Sequence, residues 1–123
     1  MTALAPTLQS FFTDYLISQR GCSGHTVTAY RDTLRLLPGY IHERTGIRPS
    51  DLDFTVLDAE LIADFLTMLE AQRGNSTRTR NVRLAAIHSL FKHAALRHPE
   101  HADLIARVLA IPPRKPPNPR STT

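Results

Sequence analysis

The chain has 123 residues, 41% of them hydrophobic, a formal net charge of +4 and a single cysteine. That composition supports one hydrophobic core and one domain, and the lone Cys22 excludes an internal disulfide framework or a cysteine-cluster zinc site while fitting a reducing compartment. No apolar run approaches the ~20 residues of a membrane-spanning helix, and Met1 to Pro6 lacks the basic start and long apolar stretch of a signal peptide, so a soluble, cytoplasmic protein is expected.

Apolar residues recur at spacings of three and four rather than alternating, which predicts an all-α fold. A first helix is expected from about Thr7 to Arg20, with Leu8, Phe11, Phe12, Tyr15 and Leu16 inward, ending at the Gly21-Cys-Ser-Gly24 breaker. The second runs from Ser23 or Gly24 to about Arg44 on the stripe Val27, Tyr30, Leu34, Leu37 and Ile41. Pro38 lies within that stripe and predicts a kink or break, because proline removes a helical hydrogen bond and crowds the preceding turn.

Gly46 to Asp53 reads as a loop with room for one turn at Pro49 to Leu52. Asp58 is then the expected N-cap of a third helix to about Arg73, burying Ile62, Phe65, Leu66 and Leu69. Gly74-Asn75 ends it, and Ser76 caps a fourth helix to about Arg97. Pro99 suits the first turn of a fifth, running to about Ala110 with Leu104, Ile105, Val108 and Leu109 on its apolar side. Residues 1–111 thus form the helical domain. In 112–123, five of twelve residues are proline, which reads as an extended linker or tail.

Charge is distributed unevenly along this plan. Asp51, Asp53, Asp58, Glu60, Asp64 and Glu70 fall in a stretch without Lys or Arg, whereas Arg73, Arg78, Arg80, Arg83, Lys92 and Arg97 follow in a stretch without acids. On a helical wheel the fourth helix turns Leu84, Ile87, Leu90, Phe91 and Ala94 to the core. Its opposite stripe is Arg78, Asn81, Ala85, His88, Ser89 and Lys92, flanked by Arg80 and Arg83. These are residue types that contact phosphates and base edges, and His25, Thr28, Arg31 and Arg35 form a weaker strip on the second helix. A charged helical face is ordinarily just solvated, and Lys92 and Arg97 suit the C-terminal end of the helix dipole. Arg78, Arg80 and Arg83 lie at the opposite end, where cations oppose the dipole, so an external anion is expected there.

Other chemistry finds no footing. His98 and His101 have no third ligand at a recognisable spacing, the tyrosines fall on or beside apolar faces, and no phosphate loop or nucleophile elbow occurs. No cofactor, metal, small-molecule substrate or membrane partner is expected.

Four blocks carry a family resemblance: Leu8-Gln-Ser-Phe-Phe-Thr-Asp-Tyr-Leu16, Ser23-x-x-Thr26-x-x-x-Tyr30-Arg31-x-x-Leu34, Ile62-Ala-Asp-Phe-Leu66, and Ser76-x-x-Thr79-x-x-x-Arg83-Leu-Ala-Ala-Ile-His-Ser-Leu-Phe91-Lys92. Their order and spacing resemble the N-terminal core-binding domain of tyrosine recombinases, the phage-integrase and Xer-type site-specific enzymes, over roughly residues 7–115. The resemblance implies a SAM-like bundle of four or five helices that clamps one face of a double-stranded DNA half-site, and contact with other recombinase protomers. Its second and fourth helices would lie against the major groove, which carries the DNA-binding role over to His25, Thr26, Thr28, Arg31, Arg35, Ser76, Arg78, Thr79, Arg80, Asn81, Arg83, His88 and Lys92.

The family's chemistry also needs a C-terminal catalytic domain that includes a His-x-x-Arg pair, which this sequence lacks, so strand cleavage by this polypeptide is not expected. Two other readings compete with a DNA-binding module. One is a helical interaction domain that docks an acidic partner or another copy's acidic stretch; the other, a helix-turn-helix regulator, is disfavoured by the long Gly46 to Leu57 connection.

Overall fold

The computed structural model describes residues 3–16, 24–74 and 76–115. Its elements are α1 (Leu4–Ser10), continued by a π-helical turn over Phe11–Leu16, then α2 (Gly24–Thr45), α3 (Ala59–Arg73), α4 (Thr77–Arg97) and α5 (Ala102–Leu109). Single 3-10 turns occupy Pro49–Asp51, Phe54–Val56 and Pro99–His101. The expected all-α fold is present. α4 is the central element, with α2, α3 and α5 all packed against it.

Local chemistry accounts for the helix limits. Pro6 falls in the first turn of α1, where a missing N–H costs nothing. Asp58 accepts a 2.8 Å hydrogen bond from the Leu61 N–H at the start of α3, and Ser76 Oγ accepts one of 3.2 Å from the Thr79 N–H at the start of α4. Between them Gly74 takes φ 59°, the left-handed conformation that glycine adopts without a Cβ penalty, and so ends α3. Removing the first cap should be measurable: Asp58→Ala lowers stability by about 1 kcal/mol and the thermal midpoint, read by circular dichroism, by roughly 4–8 °C.

Of the kink or break expected at Pro38, the break does not occur. α2 runs through it from Gly24 to Thr45, although the proline has no N–H to offer the Leu34 carbonyl. Leu34, Leu37 and Ile41 on either side are fully buried, and their burial offsets the lost hydrogen bond. The first helix begins earlier than expected, at Leu4, whose N–H donates to the Leu52 carbonyl over 2.9 Å while Ala3 pairs with Asp53. Its expected end at Arg20, the Gly21-to-Gly24 breaker and the side chains of Tyr15 and Leu16 lie outside the described residues, as do Asn75 and the tail from Pro116.

The core joins Leu4 and Phe11 to Leu34, Leu37 and Ile41 of α2, with Tyr30 partly buried against them, to Ile62, Phe65, Leu66 and Leu69 of α3, to Leu84, Ile87, Leu90, Phe91 and Ala94 of α4, and to Ile105 and Val108 of α5. Leu52, Phe54 and Leu57, in the connection between α2 and α3, belong to it as well, as does Leu61. Phe54 lies against Phe91, ring centroids 5.2 Å apart, and stacks on His101 at 5.4 Å. The junction of α1 and the π-turn is fixed to α4 through Phe11, which meets the His93 ring edge-on at 5.8 Å, and through Ser10 Oγ, 3.0 Å from His93 Nε2.

Candidate nucleic-acid interface

The acidic stretch is largely spent within the chain. Asp51 pairs with Arg48, Asp53 accepts from Thr55, Asp58 caps α3, Asp64 pairs with Arg44 at 2.7 Å, and Glu70 lies between Arg80 and Arg114. Arg44, whose pair with Asp64 ties the end of α2 to α3, also donates to the Tyr40 hydroxyl on its own helix. The basic side is different. Among the described residues, no carboxylate pairs with Arg31 or Arg35 on α2, or with Arg78 or Lys92 on α4, and all four are exposed.

The other expected contact residues divide by environment. Thr28 is exposed on α2, and Arg35 also lines a groove between α2 and α3 with Tyr40 and Met68. The side chains of His25 and Thr26 lie outside the described residues. Ser76 and Thr79 form the α4 cap, their hydroxyls 3.2 Å apart, and Arg83 is half-buried.

Arg80 is placed inside the fold: it is 7% exposed, with Nε 2.8 Å from Glu70 Oε1. The anion expected to answer a cation at the positive end of the α4 dipole is, for Arg80, this internal carboxylate. Its signal in the sequence is an acid in the last turn of α3 and an arginine in the first turns of α4, brought together by the tight turn at Gly74.

The outer stripe of α4 is open at its ends and covered in its middle. Arg78 lines a shallow groove with Thr77, Asn81, Val82 and Ala85. Further along, α5 packs on the helix and His88 Nε2 comes within 3.0 Å of the Val108 carbonyl, so the ring donates there as the Nε2–H tautomer. Asn81 is likewise engaged, with the backbone of Arg114. A wheel shows α4 with one buried face; three helical neighbours give it more.

Burial pushes the His88 pKa below its ordinary value, the bond to Val108 opposes that shift, and Lys92 adds to it. The fold therefore favours the neutral ring, and the unfolded chain binds the proton more readily. Stability from this group is present above the unfolded value near pH 6.5 and is lost as pH falls through the folded value. The urea midpoint should accordingly drop between about pH 7.5 and about pH 5.5, and drop less in His88→Gln.

Among the described residues, no group of three or more His, Cys, Asp or Glu side chains is placed to hold a metal ion, and no helix is long and apolar enough to cross a membrane. Residues 10–98 match the family described as phage integrase, N-terminal SAM-like domain. Two proteins of Sinorhizobium fredii (strain NBRC 101917 / NGR234) are similar over most of the chain. One, named as integrase/recombinase y4rC, is 50% identical over 113 residues, covering 92% of this chain and 34% of its own length. The other, named as integrase/recombinase y4rD, is 43% identical over 109 residues, covering 89% and 39%. The chain thus spans little more than a third of the length of these relatives. No solved structure matches it.

Proposed function

Because the chain belongs to the phage integrase N-terminal SAM-like domain family, we propose that it is the DNA-binding module of a site-specific recombinase, holding a duplex half-site through α2 and α4. The observation that carries this reading is the asymmetry of charge pairing. Five of the six acids between Asp51 and Glu70 are matched within the chain, while Arg31, Arg35, Arg78 and Lys92 are exposed without carboxylate partners among the described residues. Cations held in that way on two long helices suit the phosphate backbone, which supplies most of the affinity of such modules.

The same pairing weakens the alternative of a basic helix docking another copy's acidic stretch, since most of those carboxylates are already engaged. Residues 1–123 hold no His-x-x-Arg pair, so the proposal assigns them no strand cleavage. Fluorescence-anisotropy titration of a mixed-sequence duplex across a salt series tests the proposal. With four phosphates neutralised, log K falls against log salt with a slope of about −3.6. No binding even at low salt would sink it.

A further inference from the structure

We infer that Asn81 and Glu70 form a dock for the chain leaving α5, with Arg114 as the residue they hold, and that the dock sets the direction in which the chain leaves this domain. This does not rest on the DNA-binding reading. Asn81 Nδ2 donates to the Arg114 carbonyl at 2.8 Å, and the Arg114 N–H donates to Asn81 Oδ1 at 2.9 Å. One carboxamide thus satisfies both backbone groups of one residue, independent of that residue's side chain. The side chain is held separately: Arg114 Nη1 donates to Glu70 Oε2 at 2.7 Å, and the other oxygen of that carboxylate is 2.8 Å from Arg80 Nε.

The local sequence is built for this capture. Pro112 and Pro113 have no N–H, and the Ile111 N–H is spent on the Val108 carbonyl, so Arg114 offers the first free backbone donor after α5. The two prolines also restrict the undocked segment to extended shapes, which reduces the entropy lost on docking. Glu70 is only 20% exposed and is already oriented by the buried Arg80, so the receiving carboxylate is preorganised. Arg80 therefore acts as a positioning residue for the dock.

Two consequences follow for the surface. The chain leaving α5 meets α4 at Asn81, which brings Arg114 to within one helical turn of Arg78 along that helix. The amide fork of Asn81 that would pair with an adenine edge is the one engaged by the Arg114 peptide group, so Asn81 serves the chain's own exit.

Amide hydrogen exchange of the 123-residue chain by NMR tests the dock without any nucleic acid. The Arg114 N–H should exchange at least about tenfold more slowly in the parent than in Asn81→Ala. Glu70→Gln, which keeps the shape but removes the charge, should lose part of that protection, and Lys92→Ala should lose none. The Leu90 amide reports the global fold in every variant, so a variant that merely unfolds is recognised. Equal exchange at Arg114 in the parent and in Asn81→Ala, with Leu90 protected in both, overturns the inference. A flat salt series in the DNA titration would leave it standing.

Discussion

Reversing two charges, Arg78→Glu and Lys92→Glu, should weaken duplex binding about a hundredfold near 0.1 M salt and flatten the salt slope by about 1.8. Each phosphate contact contributes roughly 0.9 to that slope, so at a tenth of molar salt it is worth a little under a decade of affinity, and two contacts are lost together. Both side chains are exposed and neither has a carboxylate partner among the described residues, so the reversal breaks no internal ion pair. The circular dichroism melt should stay within a few degrees of the parent, which separates lost binding from lost folding. An unchanged slope would remove α4 from the interface and leave α2 to be tested through Arg31 and Arg35.

The largest effect on stability belongs to Phe91→Ala. Phe91 is fully buried on the central helix and its ring faces Phe54 at a centroid distance of 5.2 Å. Truncation removes the transfer free energy of the ring and leaves a cavity that the surrounding leucines fill only in part, a cost of about 3–5 kcal/mol. A domain of this size has roughly 5–15 kcal/mol in total, so the urea midpoint should fall by about a fifth or more. Leu96→Ala on the same helix, at a residue 88% exposed, should change it by less than about 0.5 kcal/mol. Similar losses in the two variants would mean that the Phe54–Phe91 contact does not anchor the core.

Features of the fold governed by local chemistry were legible in the residues. Asp58 and Ser76 cap the helices that their side chains suggested, and the apolar stripes of α3 and α4 are buried as their spacing predicts. What escaped is non-local. Leu52, Phe54 and Leu57 follow no helical period, and their burial is set by non-local contacts such as those of Leu52 with Leu4 and of Phe54 with Phe91. α2 does not break at Pro38: a propensity argument counts the lost hydrogen bond and not the three buried neighbours that compensate for it.

The candidate site shows the same division. The cationic character of α4 is plain in its composition, and Arg78 and Lys92 are exposed as the wheel places them. Arg80 is enclosed with Glu70, and Asn81 is taken by a residue 33 positions away. Neither fact has a periodic signature. Each depends on which helix packs beside α4, and a wheel drawn for one helix carries no information about its neighbours.

The bond from the Leu4 N–H to the Leu52 carbonyl bears on the order in which the molecule assembles. Joining those points closes a loop that contains the whole of α2, and the entropy cost of closure grows with loop length. That cost is offset only once α2, α3 and α4 have already gathered Leu52 and Phe54 into place. On that ground α1 is expected to dock after the other helices, and its amides, Leu8 among them, should exchange faster than that of Leu90.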